Sequence, residues 1–271
     1  MNRSKVFVHA AAGFLLLLAQ ASCAAQTGAS LAPDIERLEN TSPMRILFVG
    51  NSYLYYNDSL HNHVRRIVAE LDPQLADDIQ YKSATIGGAR LSHHHIDSLL
   101  EPGRLGFKEP FELVILQGGS GEVQNSKSRA QFRKTAMEMS AKIRATGAEV
   151  ALYMTHAYVE PHASYDPQMI ERITQTYVTV GNELKALVIP VGLAFERAYR
   201  QRPGISLHKA FDGTHPSLPG TYLAACVVYQ SIYGKSAVDI NYDYFGAVSK
   251  EDAEFLRRVA DETVREFFAR D

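Results

Sequence analysis

Met44-Arg45-Ile46-Leu47-Phe48-Val49-Gly50-Asn51-Ser52-Tyr53-Leu54-Tyr55-Tyr56-Asn57-Asp58 is the stretch on which the reading of this chain turns. Ile46 to Val49 is a short, continuous apolar run rich in strand formers, as expected of a strand buried on both faces. Gly50 ends it, and Asn51 and Ser52 follow at once. From Leu60 the apolar residues take helical spacing, at Leu60, Val64, Ile67, Val68 and Leu71. Strand, Gly-Asn-Ser turn and helix place Ser52 at the carboxyl end of a strand in an open α/β sheet, where such sheets keep their ligand sites. Free backbone N–H groups at the start of the helix would favour a developing negative charge there. The stretch is not the Gly-x-Ser-x-Gly elbow of α/β-hydrolases, because Leu54 stands at the position of the second glycine.

The same strand-then-helix alternation continues downstream. Strands are expected at Ile79–Thr85, Phe111–Leu116, Glu149–Met154 and Leu187–Val191. Helices are expected over 93–100, 126–145, 170–184 and 221–233, with a last one capped by Ser249 and Asp252 and ending near Ala269. This alternation predicts a parallel sheet of five strands with helices on both faces. Three turns then lie at strand ends: Ser52, Gly87-Gly88 and Gln117. A late loop, from Gly204 to Pro219, carries Asp212-Gly213-Thr214-His215-Pro216.

Acyl transfer from an ester needs a nucleophile, a base, a group that orients the base, and donors for the oxyanion. Ser52 can be the nucleophile and His215 the base. Asp212, three residues earlier, can reach the far ring nitrogen of His215 across one tight turn. The N–H groups of Ser52 and Gly88, with the side-chain amide of Gln117, can supply the oxyanion hole.

In these residues the chain resembles the SGNH (GDSL-like) hydrolase superfamily, over roughly Met44 to Gly234. Phe48-Val49-Gly50-Asn51-Ser52 looks like the first family block, with Asn51 in place of the usual Asp. Gly87-Gly88 looks like the second, and Asp212-x-x-His215 like the last. The third block departs: the family has Gly-x-Asn-Asp, and this chain has Gln117-Gly118-Gly119-Ser120, with Ser120 an alternative donor to Gln117. The resemblance implies a flavodoxin-like three-layer α/β/α sandwich, a Ser52–His215–Asp212 triad, and no metal or organic cofactor. It also implies hydrolysis of a small acyl ester, with an O-acetyl group on a carbohydrate as one candidate. A glycan-binding module without turnover and an acyltransferase with the same triad are the competing readings.

The remaining features bound the setting. The 271 residues suffice for a leader and one α/β domain. Arg3 and Lys5 precede an apolar core at Leu15–Leu18 and small residues at Ala21–Ala25, the pattern of a signal peptide over residues 1–25. A secreted or periplasmic protein is expected. Cys23, after Ala21-Ser22, also resembles a bacterial lipoprotein acceptor, although Gln20 stands where that motif usually has Leu. A lipid anchor at Cys23 therefore stays open beside cleavage near Ala24 or Ala25. Residues 26–43 read as a polar tether, and residues 44–271 as the catalytic domain. Net charge is −2, and no basic patch points to nucleic acid. His93, His94 and His95 cannot converge on one ion from consecutive helix positions. Tyr53, Tyr55 and His156 are candidates to line the substrate cleft.

Overall fold

The computed structural model describes Met1 and residues 31–270. The signal peptide, Cys23 and the first part of the expected tether lie outside the described residues. The elements run in the order β1 (Arg45–Gly50), α1 (Ser52–Tyr55), α2 (Leu60–Leu71), α3 (Pro73–Asp78), β2 (Gln80–Thr85), α4 (Ile96–Leu100), β3 (Leu113–Gln117), α5 (Ser126–Arg144), β4 (Glu149–Tyr153), α6 (Met169–Leu184), β5 (Leu187–Ile189), α7 (Val191–Gln201), α8 (Leu218–Tyr233) and α9 (Lys250–Phe267).

The strands form one sheet in the order β2-β1-β3-β4-β5, every pair parallel. Parallel neighbours need crossover connections, and the helices between the strands provide them. Alternate strand residues feed two separate cores. Ile46, Phe48, Leu113, Ile115, Ala151 and Ile189 face α2, α7, α8 and α9. Leu47, Val49, Val114, Leu116, Leu152 and Val188 face α5 and α6. The expected three-layer α/β/α sandwich with a parallel five-stranded sheet is therefore present. The apolar runs at Ile46–Val49 and Leu113–Leu116 are continuous because both faces of these strands are covered.

Several features differ from the expectation: α3 has no counterpart in it, the helix expected over 93–100 begins only at Ile96, so His93, His94 and His95 do not share one α-helix, and β3 runs from Leu113 to Gln117 rather than from Phe111 to Leu116. The polar tether is not free over its described part. Leu38 is buried, the N–H groups of Glu39 and Asn40 donate to the Glu149 carboxylate at 2.9 Å, and the Tyr233 hydroxyl donates to the Pro43 carbonyl at 3.0 Å. Leu38, the half-buried Ile35 and further hydrogen bonds linking Asn182 to Ala32 and Asp34, and Arg270 to Glu36, dock this polar segment, and composition alone hides them. The fifth strand also stops earlier than expected, at Ile189. Pro190 follows, and α7 begins at Val191 with Val191, Ala194, Phe195 and Ala198 on its buried face. Among the described residues no helix is long and apolar enough to cross a membrane.

Candidate active site

The site lies at the carboxyl ends of β1 and β3, where the strand order reverses direction in sequence. Asn51 caps the single turn α1: its side-chain oxygen accepts from the Tyr53 N–H at 3.0 Å. Its side-chain nitrogen donates to the Ala89 carbonyl at 3.0 Å. The amide thus ties the Ser52 turn to the Gly87–Arg90 turn. An aspartate here would set acceptor against acceptor, which gives the Gly-Asn-Ser sequence a physical reason.

The Ser52 hydroxyl lies 2.9 Å from His215 Nε2, and His215 Nδ1 lies 2.5 Å from Asp212 Oδ2. A carboxylate only accepts, so the proton between them sits on Nδ1 and Nε2 is left to accept from Ser52. The other carboxylate oxygen, Oδ1, accepts the N–H groups of Thr214 at 2.9 Å and His215 at 3.1 Å. Burial pushes the Asp212 carboxyl up, but these N–H donors and the His215 ring outweigh it and hold it below the usual carboxylate range.

The loop that carries Asp212 and His215 is held from several sides. Gly213 has φ +64°, and a Cβ there would strike the Val159 carbonyl oxygen, so only glycine fits between them. The Val159 N–H donates to Gly213 O at 2.9 Å, and the Lys209 N–H to His215 O at 2.7 Å. Thr214 is gripped at both ends: its hydroxyl pairs with the Tyr53 hydroxyl at 2.6 Å, and its carbonyl with His156 Nε2 at 2.8 Å. Tyr56 stacks on the His215 ring, centroids 4.4 Å apart and planes 25° from parallel.

A cleft of about 550 Å³ opens over Ser52 and His215. Tyr55, Tyr56, Tyr158, His162, Gly87, Gly88 and Ser120 form part of its wall, and Arg90 and Glu122 also border it. Among the described residues no Leu, Ile, Val, Met or Phe lines it. Among the described residues no protein acceptor takes the N–H of Ser52 or of Gly88, and both residues border the cleft. Because α1 is a single turn, what it offers an oxyanion is the Ser52 N–H itself rather than a summed helix dipole.

Two expected site residues are elsewhere. Gln117 is the last residue of the β3 ladder, paired with Tyr153, and is almost fully buried. Its Oε1 accepts the Asn51 N–H at 2.8 Å and its Nε2 donates to the Gly118 carbonyl. The Asn51 N–H can only donate, which fixes the orientation of the amide and commits both of its ends. Gln117 therefore does not face the cleft as an oxyanion donor. Ser120 borders the cleft, and its hydroxyl oxygen accepts from the Tyr158 hydroxyl at 2.9 Å.

His156 is the second correction. It is fully buried behind the loop, sandwiched between Tyr53 (centroids 4.2 Å apart) and Phe195 (4.4 Å). Burial holds its ring well below the ordinary histidine range, so it is neutral with its proton on Nε2, donated to Thr214. It supports the loop and does not border the cleft. Tyr53 reaches the cleft floor but its hydroxyl is occupied by Thr214, while Tyr55 is an exposed part of the wall. Tyr158, Arg90 and Glu122 were not picked out from sequence. Tyr158 falls in the loop after β4, two residues beyond His156.

No protein-family model matches the chain, and no curated protein does. Solved structures do. A DUF4886 family protein from Bacteroides uniformis superposes with a TM-score of 0.63 at 15% identity, over 84% of this chain and 96% of that one. A provisionally assigned SGNH hydrolase from Slackia heliotrinireducens gives 0.54 at 25% identity, over 70% and 98%. A catalytic mutant of an acetylxylan esterase from Geobacillus stearothermophilus gives 0.52 at 16% identity, over 70% and 94%. The likeness is one of fold, and it is the fold that the sequence motifs resemble.

Proposed function

We propose that this chain is a serine ester hydrolase of SGNH type that removes small acyl groups, with O-acetylated carbohydrate as the substrate class. The observation that carries the reading is the unbroken chain Ser52 Oγ–His215 Nε2 and His215 Nδ1–Asp212 Oδ2, at 2.9 and 2.5 Å, on the rim of an open cleft. In this reading His215 takes the Ser52 proton as Oγ attacks the ester carbonyl. The oxyanion is met by the N–H groups of Ser52 and Gly88 and by the Ser120 hydroxyl. His215 then returns the proton to the departing alcohol, and a water repeats the sequence on the acyl-enzyme.

The cleft lining favours a short acyl group. With no aliphatic side chain among the described lining residues, each added CH₂ gains less than the roughly 0.8 kcal/mol of full apolar burial. Tyrosine rings, by contrast, offer flat faces and hydroxyls suited to a sugar. The acetylxylan esterase among the similar folds supports the same class. Export through the leader over residues 1–25 belongs to the same proposal, and the mass of the mature N-terminus tests both the cut site and lipidation at Cys23.

The test of substrate class is a series of aryl esters of rising acyl length. The reading expects kcat/KM to be highest for acetyl and to fall with every pair of added carbons. A kcat/KM that climbs toward long chains would refute the short-acyl assignment.

A further inference from the structure

Glu122 stands beside the proposed oxyanion donors and takes no part in the triad. It is 2% exposed and borders the cleft. Its Oε2 accepts the Gly119 N–H at 2.5 Å and the Leu91 N–H at 3.3 Å, while Oε1 is buried with no protein partner. Gly119 precedes Ser120, the third proposed donor, and Leu91 closes the turn that holds Gly88. One carboxylate oxygen therefore joins two loops that are 31 residues apart in sequence.

The two loops also touch directly. A Cβ on Gly119 would lie 3.0 Å from the Ala89 carbonyl oxygen and 3.3 Å from Arg90 Cα. The same Ala89 carbonyl accepts from the Asn51 side chain, next to Ser52. The loops bearing Ser52, Gly88 and Ser120 are thus linked through Asn51, Ala89, Gly119 and Glu122.

We infer that Glu122 is a positioning residue that clamps the Gly119–Ser120 loop to the Gly87–Leu91 loop, and so sets the geometry of the oxyanion hole. The inference rests on the proposed esterase reading and deepens it. Catalytic donors must stand 2.7–3.1 Å from the place the oxyanion will occupy, and a displacement of about 1 Å costs on the order of 10²-fold in rate. The hydrogen-bond partners of Glu122 are the Gly119 and Leu91 N–H groups, so the clamp acts through the loops that bear Gly88 and Ser120. Burial pushes the Glu122 carboxyl up, against the pull of the Gly119 and Leu91 N–H groups. A negative charge beside a developing oxyanion would oppose it, so the acceptor oxygen is the part the site uses.

The test compares Glu122→Ala, Glu122→Gln and Gly119→Ala in the full-length chain, with an aryl acetate as substrate and melting temperature as the fold check. Glu122→Ala should lose about 10²-fold in kcat with KM within about threefold. Its rate of fluorophosphonate labelling should fall in parallel, because that reaction uses the same donors. Glu122→Gln keeps an acceptor oxygen and should restore kcat to within about tenfold of the parent. Gly119→Ala, whose Cβ would press on the Ala89 carbonyl oxygen at 3.0 Å and lie 3.4 Å from Glu122 Oε2, disturbs the same junction from the other loop and should also lose kcat; it keeps the test alive if Glu122→Ala does not fold. An active parent whose Glu122→Ala and Gly119→Ala variants keep kcat and lose only melting temperature would overturn the clamp alone. A Glu122→Gln variant as slow as Glu122→Ala would overturn it too, since the acceptor would then not be what matters. A parent that turns over no ester overturns the esterase reading and the clamp with it.

Discussion

Asp212 holds His215 twice: one carboxylate oxygen meets ring Nδ1 at 2.5 Å, and the other accepts the His215 backbone N–H at 3.1 Å. The same residue orients the ring and sets the backbone from which the ring hangs. Asp212→Asn should keep the second contact, because an amide oxygen can still accept the Thr214 and His215 N–H groups. It should lose the first, because an amide NH₂ facing Nδ1 stabilises the wrong tautomer. The expected result is a melting temperature near that of the parent with kcat lower by about 10⁴. Steady-state kinetics beside a thermal melt check it.

The proposed third oxyanion donor separates Ser120 from Gln117. Ser120→Ala should lower kcat by about 10²–10³ with little change in KM. Gln117→Ala leaves the Asn51 N–H buried without its acceptor and should cost roughly 1–3 kcal/mol of stability. Its kcat, measured on the folded fraction, should fall far less than that of Ser120→Ala. A reversed order of the two kcat losses would return the role to Gln117.

Tyr56 covers one face of the His215 ring. A stacked pair contributes about 0.5–1.5 kcal/mol, and the ring face also favours the imidazolium that forms in the reaction. Tyr56→Ala should therefore slow kcat by up to about tenfold. Tyr56→Phe, which keeps the stack, should not. Kinetics of the two variants on one aryl acetate decide it.

Acid stability should report the buried histidines. Burial lowers His208 to about 4, while its Nε2–H donates to the Ala157 carbonyl and its Nδ1 accepts from the Tyr199 hydroxyl. Between pH ~6.5 and about 4 the unfolded chain binds a proton at this residue that the folded chain does not. Stability must then fall as pH drops through that window, by about 3 kcal/mol from His208. His156, lowered in the same direction, adds to the loss. Urea midpoints measured from pH 7 to pH 4 should decline, and His208→Gln should flatten the slope.

How far the sequence could be read follows from where each side chain points. The strands were legible because apolar runs buried on both faces have few other uses, and Ser52, Asp212 and His215 follow from strand ends and a tight turn. Gln117 misleads because the β3 ladder runs one residue further than the apolar run, which turns its amide inward onto Asn51 and Gly118. His156 misleads for a related reason: a histidine just past a strand end can enter the layer between two aromatic rings as readily as the cleft. Helix α7 is masked by Pro190-Val191-Gly192, which continues the look of a strand ending in a turn. Glu122 gives no signal in sequence, since its partners are backbone N–H groups brought together by two separate loops.

The claim on which the rest depends is that Ser52 is a nucleophile activated by His215, and covalent capture tests it most directly. The full-length protein is treated with a fluorophosphonate, digested, and its peptides are read by mass spectrometry. The account predicts one phosphonyl adduct, on Ser52, and none in His215→Ala under the same conditions. An adduct at another residue, or an unlabelled Ser52 in a preparation that still turns over an aryl acetate, would contradict it.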